Sequence, residues 1–250
     1  MKFVPSLLLL SVLAFVSTPA LADDAPAAAP PKPFTINGGA ALVSDYRFRG
    51  ISQTDKRFAV QGTFTVTHTS GFYVTVWGSS IDDYIANGGD QEIDLIAGWS
   101  KTWGPTKLDM GVLYYYYPGS HGANTDFVEP YIDVSHTWGP VTAKITANYS
   151  PKQNALTVGN GKEDNLYLAG DLSAAIPNSK FSLAAHLGHS FGPSYLTIGD
   201  EYTDWNLGAT YTTGPLSFTA QYVDTNKDFI TPSGRNASKA GFVGTVGVTF

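Results

Sequence analysis

Apolar and polar residues alternate with a period of two along most of the chain. Between residues 141 and 149, apolar side chains occupy every odd position and polar side chains occupy every even position. Successive side chains of a strand point to opposite faces, so such a segment predicts a strand with one apolar and one polar face. The alternating segments are about 9–11 residues long, which is the length of a strand that crosses a bilayer.

The connections between these segments fall into two classes that alternate strictly. The short ones are turn-forming groups such as Ser70-Gly71 and Gly214-Pro215, and the long ones are polar stretches rich in Gly, Asn, Asp and Ser. Outer-membrane barrels also place short turns at one end and long loops at the other, with an even number of strands. We therefore predict an all-β fold, an up-and-down antiparallel transmembrane β-barrel of about twelve strands. The predicted strands are 36–48, 58–69, 72–79, 91–103, 107–117, 127–138, 141–149, 165–176, 180–189, 201–213, 215–224 and 240–250.

Both ends of the chain indicate export to a membrane. Residues 1–22 combine a basic start, a short apolar run and an Ala-x-Ala site, which predicts a secretory signal peptide. Residues 23–35 are rich in Ala and Pro and are interpreted as a periplasmic tether, and residues 36–250 as the barrel. The last strand alternates down to Phe250, and a terminal aromatic residue on such a strand resembles the assembly signal of outer-membrane barrels.

A soluble binding sandwich is the alternative fold for the same strands, but it has no reason to sort its loops by length. In hydrocarbon every backbone N–H and C=O needs an internal partner, so a sheet in a membrane must close. Aromatic residues near strand ends are candidates for the rings that mark the two membrane–water interfaces. These candidates are Tyr46, Phe48, Trp103, Tyr116, Trp138, Tyr149, Tyr211 and Tyr222.

Composition narrows the range of functions. The chain has no Cys, which excludes disulfides and thiol chemistry. It has 15 basic and 21 acidic residues, and loss of Lys2 with the signal peptide leaves a net charge of about −7. An acidic chain of this kind has no basic surface for nucleic acid.

Strand parity divides the residues of the predicted barrel between its lipid face and its lumen. The charged residues assigned to the lumen, as candidate pore-lining residues, are Asp45, Arg47, Arg49, Glu92, Asp94, Lys107, Asp109, Glu129, Asp133, Lys144, Asp171 and Asp204. Eight acids against four bases predict a water-filled lumen with a mild cation preference. The alternative is a plugged lumen in which these charges form structural ion pairs, because twelve strands lie between barrels that fill and barrels that leave a channel. The same parity assigns Tyr73, Trp77, Tyr115, Tyr131, Tyr167 and Tyr202 to the lumen, where filling space is favoured over stacking on solutes.

Catalytic and metal-binding patterns are weak. His186 is predicted to face inward, but Ser182 on the same strand is roughly 13 Å away, too far for activation. Ser173 on the neighbouring strand is a better candidate only if the register allows it. His186 and His189 point to opposite faces of a strand, which is poor geometry for a metal. We predict no enzyme, no cofactor and no metal site.

One segment carries a family resemblance. Residues 44–54 read Ser-Asp-Tyr-Arg-Phe-Arg-Gly-Ile-Ser-Gln-Thr, and weaker matching blocks lie at 71–79, 92–94, 117–119, 129–131 and 149–151. This pattern resembles the TorF-type porin family, formerly described as conserved bacterial proteins of unknown function. The resemblance covers roughly residues 36–250 and implies an exported barrel and a suspected pore, without a substrate or site residues. Asp45, Arg47 and Arg49 would form either part of a charged ring or a structural network at the first hairpin.

The expected function is an outer-membrane porin that lets small hydrophilic solutes diffuse passively, with a weak cation preference. A closed structural or adhesive barrel acting through its outer loops is the alternative, and a barrel hydrolase ranks below both. The expected partners are outer-membrane lipid, the barrel assembly machinery at the C-terminal strand and the solutes. Both termini are expected on the periplasmic side, and the sequence leaves a homo-oligomer open.

Overall fold

The computed structural model describes residues 32–250, in which twelve strands form one closed antiparallel barrel. The predicted signal peptide lies outside the described residues, as does the predicted tether up to residue 31. The barrel strands are β1 (Phe34–Val43), β4 (Ala59–His68), β5 (Phe72–Ser80), β6 (Gln91–Trp103), β7 (Thr106–Tyr116), β8 (Phe127–Trp138), β9 (Val141–Ser150), β12 (Asn165–Ala175), β13 (Phe181–Phe191), β14 (Tyr202–Thr213), β15 (Leu216–Thr225) and β16 (Gly241–Thr249). The prediction of a twelve-stranded up-and-down barrel is confirmed.

The remaining elements are short and lie in the long loops. Two-residue strands form one hairpin from β2 (Arg47–Phe48) and β3 (Ile51–Ser52), and another from β10 (Thr157–Val158) and β11 (Gly161–Lys162). Two single-turn 3-10 helices span Asn154–Leu156 and Tyr195–Thr197. Within residues 32–250, no helix is long and apolar enough to cross a membrane.

The barrel closes where its first and last strands meet. β1 pairs with β16 in a register that sets Gly39 opposite Thr249. Beyond this pair, the backbone N–H groups of Gly38 and Phe250 each donate to the other's carbonyl oxygen at 2.9 Å. A Cβ atom on Gly38 would lie 2.6 Å from the Phe250 ring, so the glycine leaves room for that ring at the seam. The closing ladder therefore extends to the final residue.

The outer surface of the barrel is apolar along the strands. On β9, Ile145 is 70% exposed, whereas its neighbours Lys144 and Thr146 are buried. This alternation follows the predicted parity, and it leaves apolar side chains facing outward all round the sheet. Exposed apolar surface on this scale is what a lipid-facing barrel presents. Most of the aromatic residues predicted near the interfaces, including Trp103 and Trp138, are exposed at strand ends.

The first strand is the main difference from the predicted elements. We predicted a strand over 36–48, but β1 ends at Val43 and the chain then turns into the barrel. Tyr46 and Phe48, predicted for the interface ring, therefore lie inside, where Tyr46 is buried. Beyond Val43, Ser44 still binds the backbone of Gly244 on β16, with its N–H donating at 2.8 Å, before the chain leaves the wall.

Candidate functional site in the barrel lumen

A hairpin from the first long loop lies inside the barrel. β2 and β3 are joined by Arg49 and Gly50, whose φ angles of 46° and 80° are both positive. Positive φ at both central residues is typical of the tight turns that match the twist of paired strands. Gly50 is required here, because a Cβ atom would lie 2.3 Å from the side chain of Thr225. We call residues 44–57 the lumen hairpin.

Polar contacts hold the lumen hairpin in a fixed shape. The Asp45 carboxylate accepts from Arg47 Nε at 2.6 Å and from Ser52 Oγ at 2.5 Å. Arg47 also donates to the backbone carbonyl oxygens of Gly50 at 2.9 Å and of Ala237 at 2.8 Å. The predicted network of Asp45 and Arg47 thus braces the hairpin, and these residues are not part of a wall strand.

Residues of two other long loops bind the outer part of the lumen hairpin. Asp55 accepts from Arg235 at 3.1 Å, and Arg57 forms an ion pair with Asp82. The N–H of Ser52 donates to the carbonyl oxygen of Ala237 at 2.9 Å. The hairpin is therefore attached mainly to the loops at the long-loop end.

Two side chains of the hairpin bind carboxylates of the barrel wall. Arg49, at the tip, binds Glu129 on β8, with its Nη2 2.8 and 2.9 Å from the two carboxylate oxygens. Tyr46 donates its hydroxyl to Glu92 at 2.9 Å and packs its ring edge-on against Trp77 at 5.4 Å. Burial, together with the Glu92 carboxylate, raises the pKa of Tyr46 well above its usual range, so its hydroxyl stays a donor.

The charged residues predicted to face inward are buried, with Lys107 partly so. Lys107 lies 2.8 Å from Asp109, and Lys144 lies 3.2 Å from Asp171 and 4.0 Å from Asp133. Together with the Arg47 and Arg49 pairs, all four predicted basic residues are thus bound to predicted acids. Their role as pore lining stays a prediction.

Three of the predicted acids have no Lys or Arg partner within residues 32–250: Glu92, Asp94 and Asp204. Asp94 is 2% exposed, and its Oδ1 atom has no hydrogen-bond partner among the described residues. Asp204 is bound instead by neutral or titratable groups, the hydroxyl of Tyr167 and the ring of His186. Acidic side chains therefore outnumber Lys and Arg side chains among these twelve residues, and three of the acids lie outside any ion pair with Lys or Arg.

His186 is held between two carboxylates. Its Nδ1 atom lies 2.7 Å from Asp171, and its Nε2 atom lies 3.1 Å from Asp204 and 2.8 Å from the Tyr167 hydroxyl. In the register of β12 and β13, Ser173 is opposite Ala184 rather than His186. Both ring nitrogens are thus engaged by groups other than the serines considered for a hydrolase.

Several inward-facing tyrosine side chains lie against glycines of the adjacent strand. A Cβ atom on Gly98 would lie 2.5 Å from the Tyr73 hydroxyl, and one on Gly188 would lie 2.0 Å from the Tyr167 hydroxyl. Each ring thus occupies space that a side chain would otherwise take. The sequence contains these glycines, but their pairing with particular tyrosines depends on strand register.

An internal cavity of about 180 Å³, partly open to solvent, lies beside the lumen hairpin. The hairpin lines one side, and uncharged polar residues such as Asn206, Thr219 and Gln221 contribute to the wall, together with Asp204. Inward residues are buried at the long-loop end and become partly exposed toward the short turns, as Thr65 and Thr249 are. The hairpin therefore narrows the lumen at the long-loop end.

A closed twelve-stranded barrel with an apolar exterior, a polar interior and a loop folded into its lumen is the architecture of an outer-membrane β-barrel. The chain belongs to the family described as bacterial protein of unknown function (Gcw_chp), whose profile matches residues 27–250. No curated protein sequence matches the chain.

Solved structures share this fold at low sequence identity. The NanC porin aligns with a TM-score of 0.58 and 12% identity, covering 86% of this chain and 99% of that one. The KdgM porin, solved in complex with disordered oligogalacturonate, aligns with a TM-score of 0.55 and 8% identity, covering 86% and 97%. An outer-membrane channel from Pseudomonas putida F1 aligns with a TM-score of 0.51 and 15% identity, covering 91% and 98%. The fold is that of outer-membrane porins, and these matched structures are porins and channels rather than enzymes.

Proposed function

We propose that this protein is an outer-membrane porin through which small hydrophilic solutes diffuse passively, with a weak preference for cations. In this proposal the long loops face outward and both termini are periplasmic. The observation that carries it is the cavity of about 180 Å³ inside the closed barrel, partly open to solvent and bordered by uncharged polar residues and carboxylates. The resemblance of residues 44–54 to TorF-type porins supports the same function.

The selectivity argument rests on the acids that no Lys or Arg neutralises. Asp204 borders the cavity directly, whereas Glu92 and Asp94 are buried. Wall charges act more strongly in a narrow, low-dielectric tube than in bulk water. The excess is small because each basic residue already binds an acid, so the preference should be weak. An anionic polymer such as the oligogalacturonate bound by KdgM is disfavoured here.

The lumen hairpin determines how such a pore should conduct. It narrows the lumen at the long-loop end, so passage requires the hairpin to move aside. Conductance should therefore consist of discrete openings rather than a large steady current. A closed structural or adhesive barrel is the second candidate function, and the burial of the long-loop end favours it.

Selectivity is tested by the reversal potential of the refolded protein in a planar bilayer under a KCl gradient. The potential should indicate cation preference, and Asp204→Asn should reduce that preference because it removes a carboxylate that borders the cavity. Asp228→Asn removes the same charge from an exposed loop position and should leave the potential unchanged. An anion-directed potential in the parent would contradict the selectivity argument, and the absence of discrete conductance would favour the closed barrel.

We also propose that the C-terminal strand is recognised by the barrel assembly machinery through Phe250. The residue is 80% exposed, and it ends the closing ladder by pairing with Gly38. Its ring is thus available on the outer surface at the seam between the first and last strands.

A further inference from the structure

The guanidinium of Arg49 lies in a site formed by residues of the barrel wall. Arg49 is 5% exposed and Glu129 is fully buried. The groups that bind Glu129 and the guanidinium come from β7, β8, β9 and β12, which are wall strands. The lumen hairpin contributes the bound cation itself and the neighbouring ring of Phe48.

The wall fixes the carboxylate of Glu129 independently of Arg49. Its Oε1 atom accepts from Asn148 at 2.8 Å and from the Tyr115 hydroxyl at 3.3 Å, and its Oε2 atom accepts from Ser150 at 2.8 Å. Hydrogen bonds of this kind from neutral donors orient a carboxylate without neutralising it. The position of the carboxylate is therefore set by the wall and does not depend on the hairpin.

Two further wall residues match the shape of a planar cation. Asn165 accepts from Arg49 Nη1 at 3.1 Å, and its own amide nitrogen donates to the carbonyl oxygen of Phe191 at 2.7 Å. That second bond turns the amide oxygen toward the guanidinium. The guanidinium carbon also lies 4.1 Å from the centre of the Tyr167 ring, at the distance of a cation–π contact.

We propose that Glu129, Asn165 and Tyr167 form a binding site for guanidinium-bearing solutes, which Arg49 occupies while the hairpin is closed. The proposal rests on the proposed function, since a solute reaches the site through the lumen. A carboxylate with both oxygens available, an amide oxygen and an aromatic face together suit a planar cation with several donors. An alkylammonium would lose the planar stacking, and a neutral solute would leave the Glu129 charge uncompensated. When the hairpin moves aside, the solute takes the place of the Arg49 side chain.

Binding is measured on detergent-folded Arg49→Met protein, whose unbranched side chain lacks the guanidinium and so leaves the Glu129 carboxylate and the Asn165 amide oxygen unoccupied. Isothermal titration calorimetry uses methylguanidinium chloride as the probe, with methylammonium chloride and urea as comparison compounds. We expect saturable binding of methylguanidinium, binding at least about tenfold weaker for methylammonium, and none for urea. The matched control, Arg49→Met combined with Glu129→Gln, should bind methylguanidinium at least about tenfold more weakly. Folding of both variants is checked by heat-modifiable migration on gels.

The proposal is overturned if folded Arg49→Met shows no saturable binding, or if the double variant binds equally well. If Arg49→Met does not fold, block of the parent channel by methylguanidinium gives the second measurement. Its half-blocking concentration should be at least about tenfold lower in the parent than in Glu129→Gln, and equal values would overturn the proposal. Binding without conductance would reject the pore and keep the site, whereas conductance without binding would reject the site and keep the pore.

Discussion

Replacing Ile145 with lysine should destabilise the folded barrel by about 2–4 kcal/mol, because the new charge would face lipid near the midplane. Ile145 is 70% exposed at the middle of β9. Its partners on the two adjacent strands are Val134 and Gly170, so neither offers a carboxylate to the ammonium group. The cost falls with distance from the midplane, so Val141→Lys at the start of the same strand should cost only about 0–1 kcal/mol.

The inward neighbour of Ile145 provides the matched control. Thr146 borders the cavity and is paired with Asp133, whose Oδ1 atom has no hydrogen-bond partner among the described residues. A lysine at 146 can therefore bind a carboxylate and contact solvent, and its cost should be well below that of Ile145→Lys.

The assay is reversible unfolding of the protein from phospholipid vesicles by denaturant, followed by gel migration and tryptophan fluorescence. Relative to the parent, the free energy of unfolding should fall most for Ile145→Lys and much less for Thr146→Lys and Val141→Lys. A larger cost at 146 than at 145 would show that the assignment of inward and outward faces is wrong by one residue. Equal small costs at 141, 145 and 146 would show that the outer face is not in contact with hydrocarbon.

Three further predictions concern the seam, the tyrosine–glycine contacts and location. Phe250→Asp should lower the amount of folded protein recovered in outer membranes, because the closing strand loses its aromatic end; normal recovery would count against the assembly proposal. Gly188→Ala should cost about 1–3 kcal/mol in the free energy of unfolding, because the new methyl group meets the Tyr167 hydroxyl. Gly170→Ala, which has no atom within 4 Å of its Cβ position, should be nearly neutral, and equal costs would contradict the packing argument. The native protein should be recovered from the outer-membrane fraction and migrate in a heat-modifiable way, whereas a soluble periplasmic protein would refute the membrane assignment.

Strand parity could be predicted from sequence because the membrane imposes it. A strand between lipid and a polar lumen must alternate apolar and polar side chains. The outward orientation of Ile145 and the inward orientation of Lys144 can therefore be assigned without knowing which strands pair. The same reasoning failed after Val43. Asp45, Arg47 and Arg49 alternate with Tyr46 and Phe48 as a wall strand would, but a hairpin of two short strands has the same period of two.

The contacts within the candidate site could not be predicted. Arg49 and Glu129 are separated by 80 residues in sequence and meet only because the hairpin folds inward. Their contact depends on the closure of the barrel and on the depth to which the hairpin enters. One local signal was available, since Gly50 after Arg49 marks a tight turn at the end of a polar segment. It predicts a hairpin but not the direction in which the hairpin points.

The most direct test of the account compares single-channel conductance of the parent with that of a variant lacking the lumen hairpin. Val43 is paired with Ala59, so a two-residue Asn-Gly turn can join β1 to β4 without altering the barrel register. We predict discrete, small openings in the parent and a severalfold larger, steadier conductance in the variant, with cation preference in both. If neither protein conducts although both fold and insert, the lumen is closed by its own wall and the pore proposal is wrong.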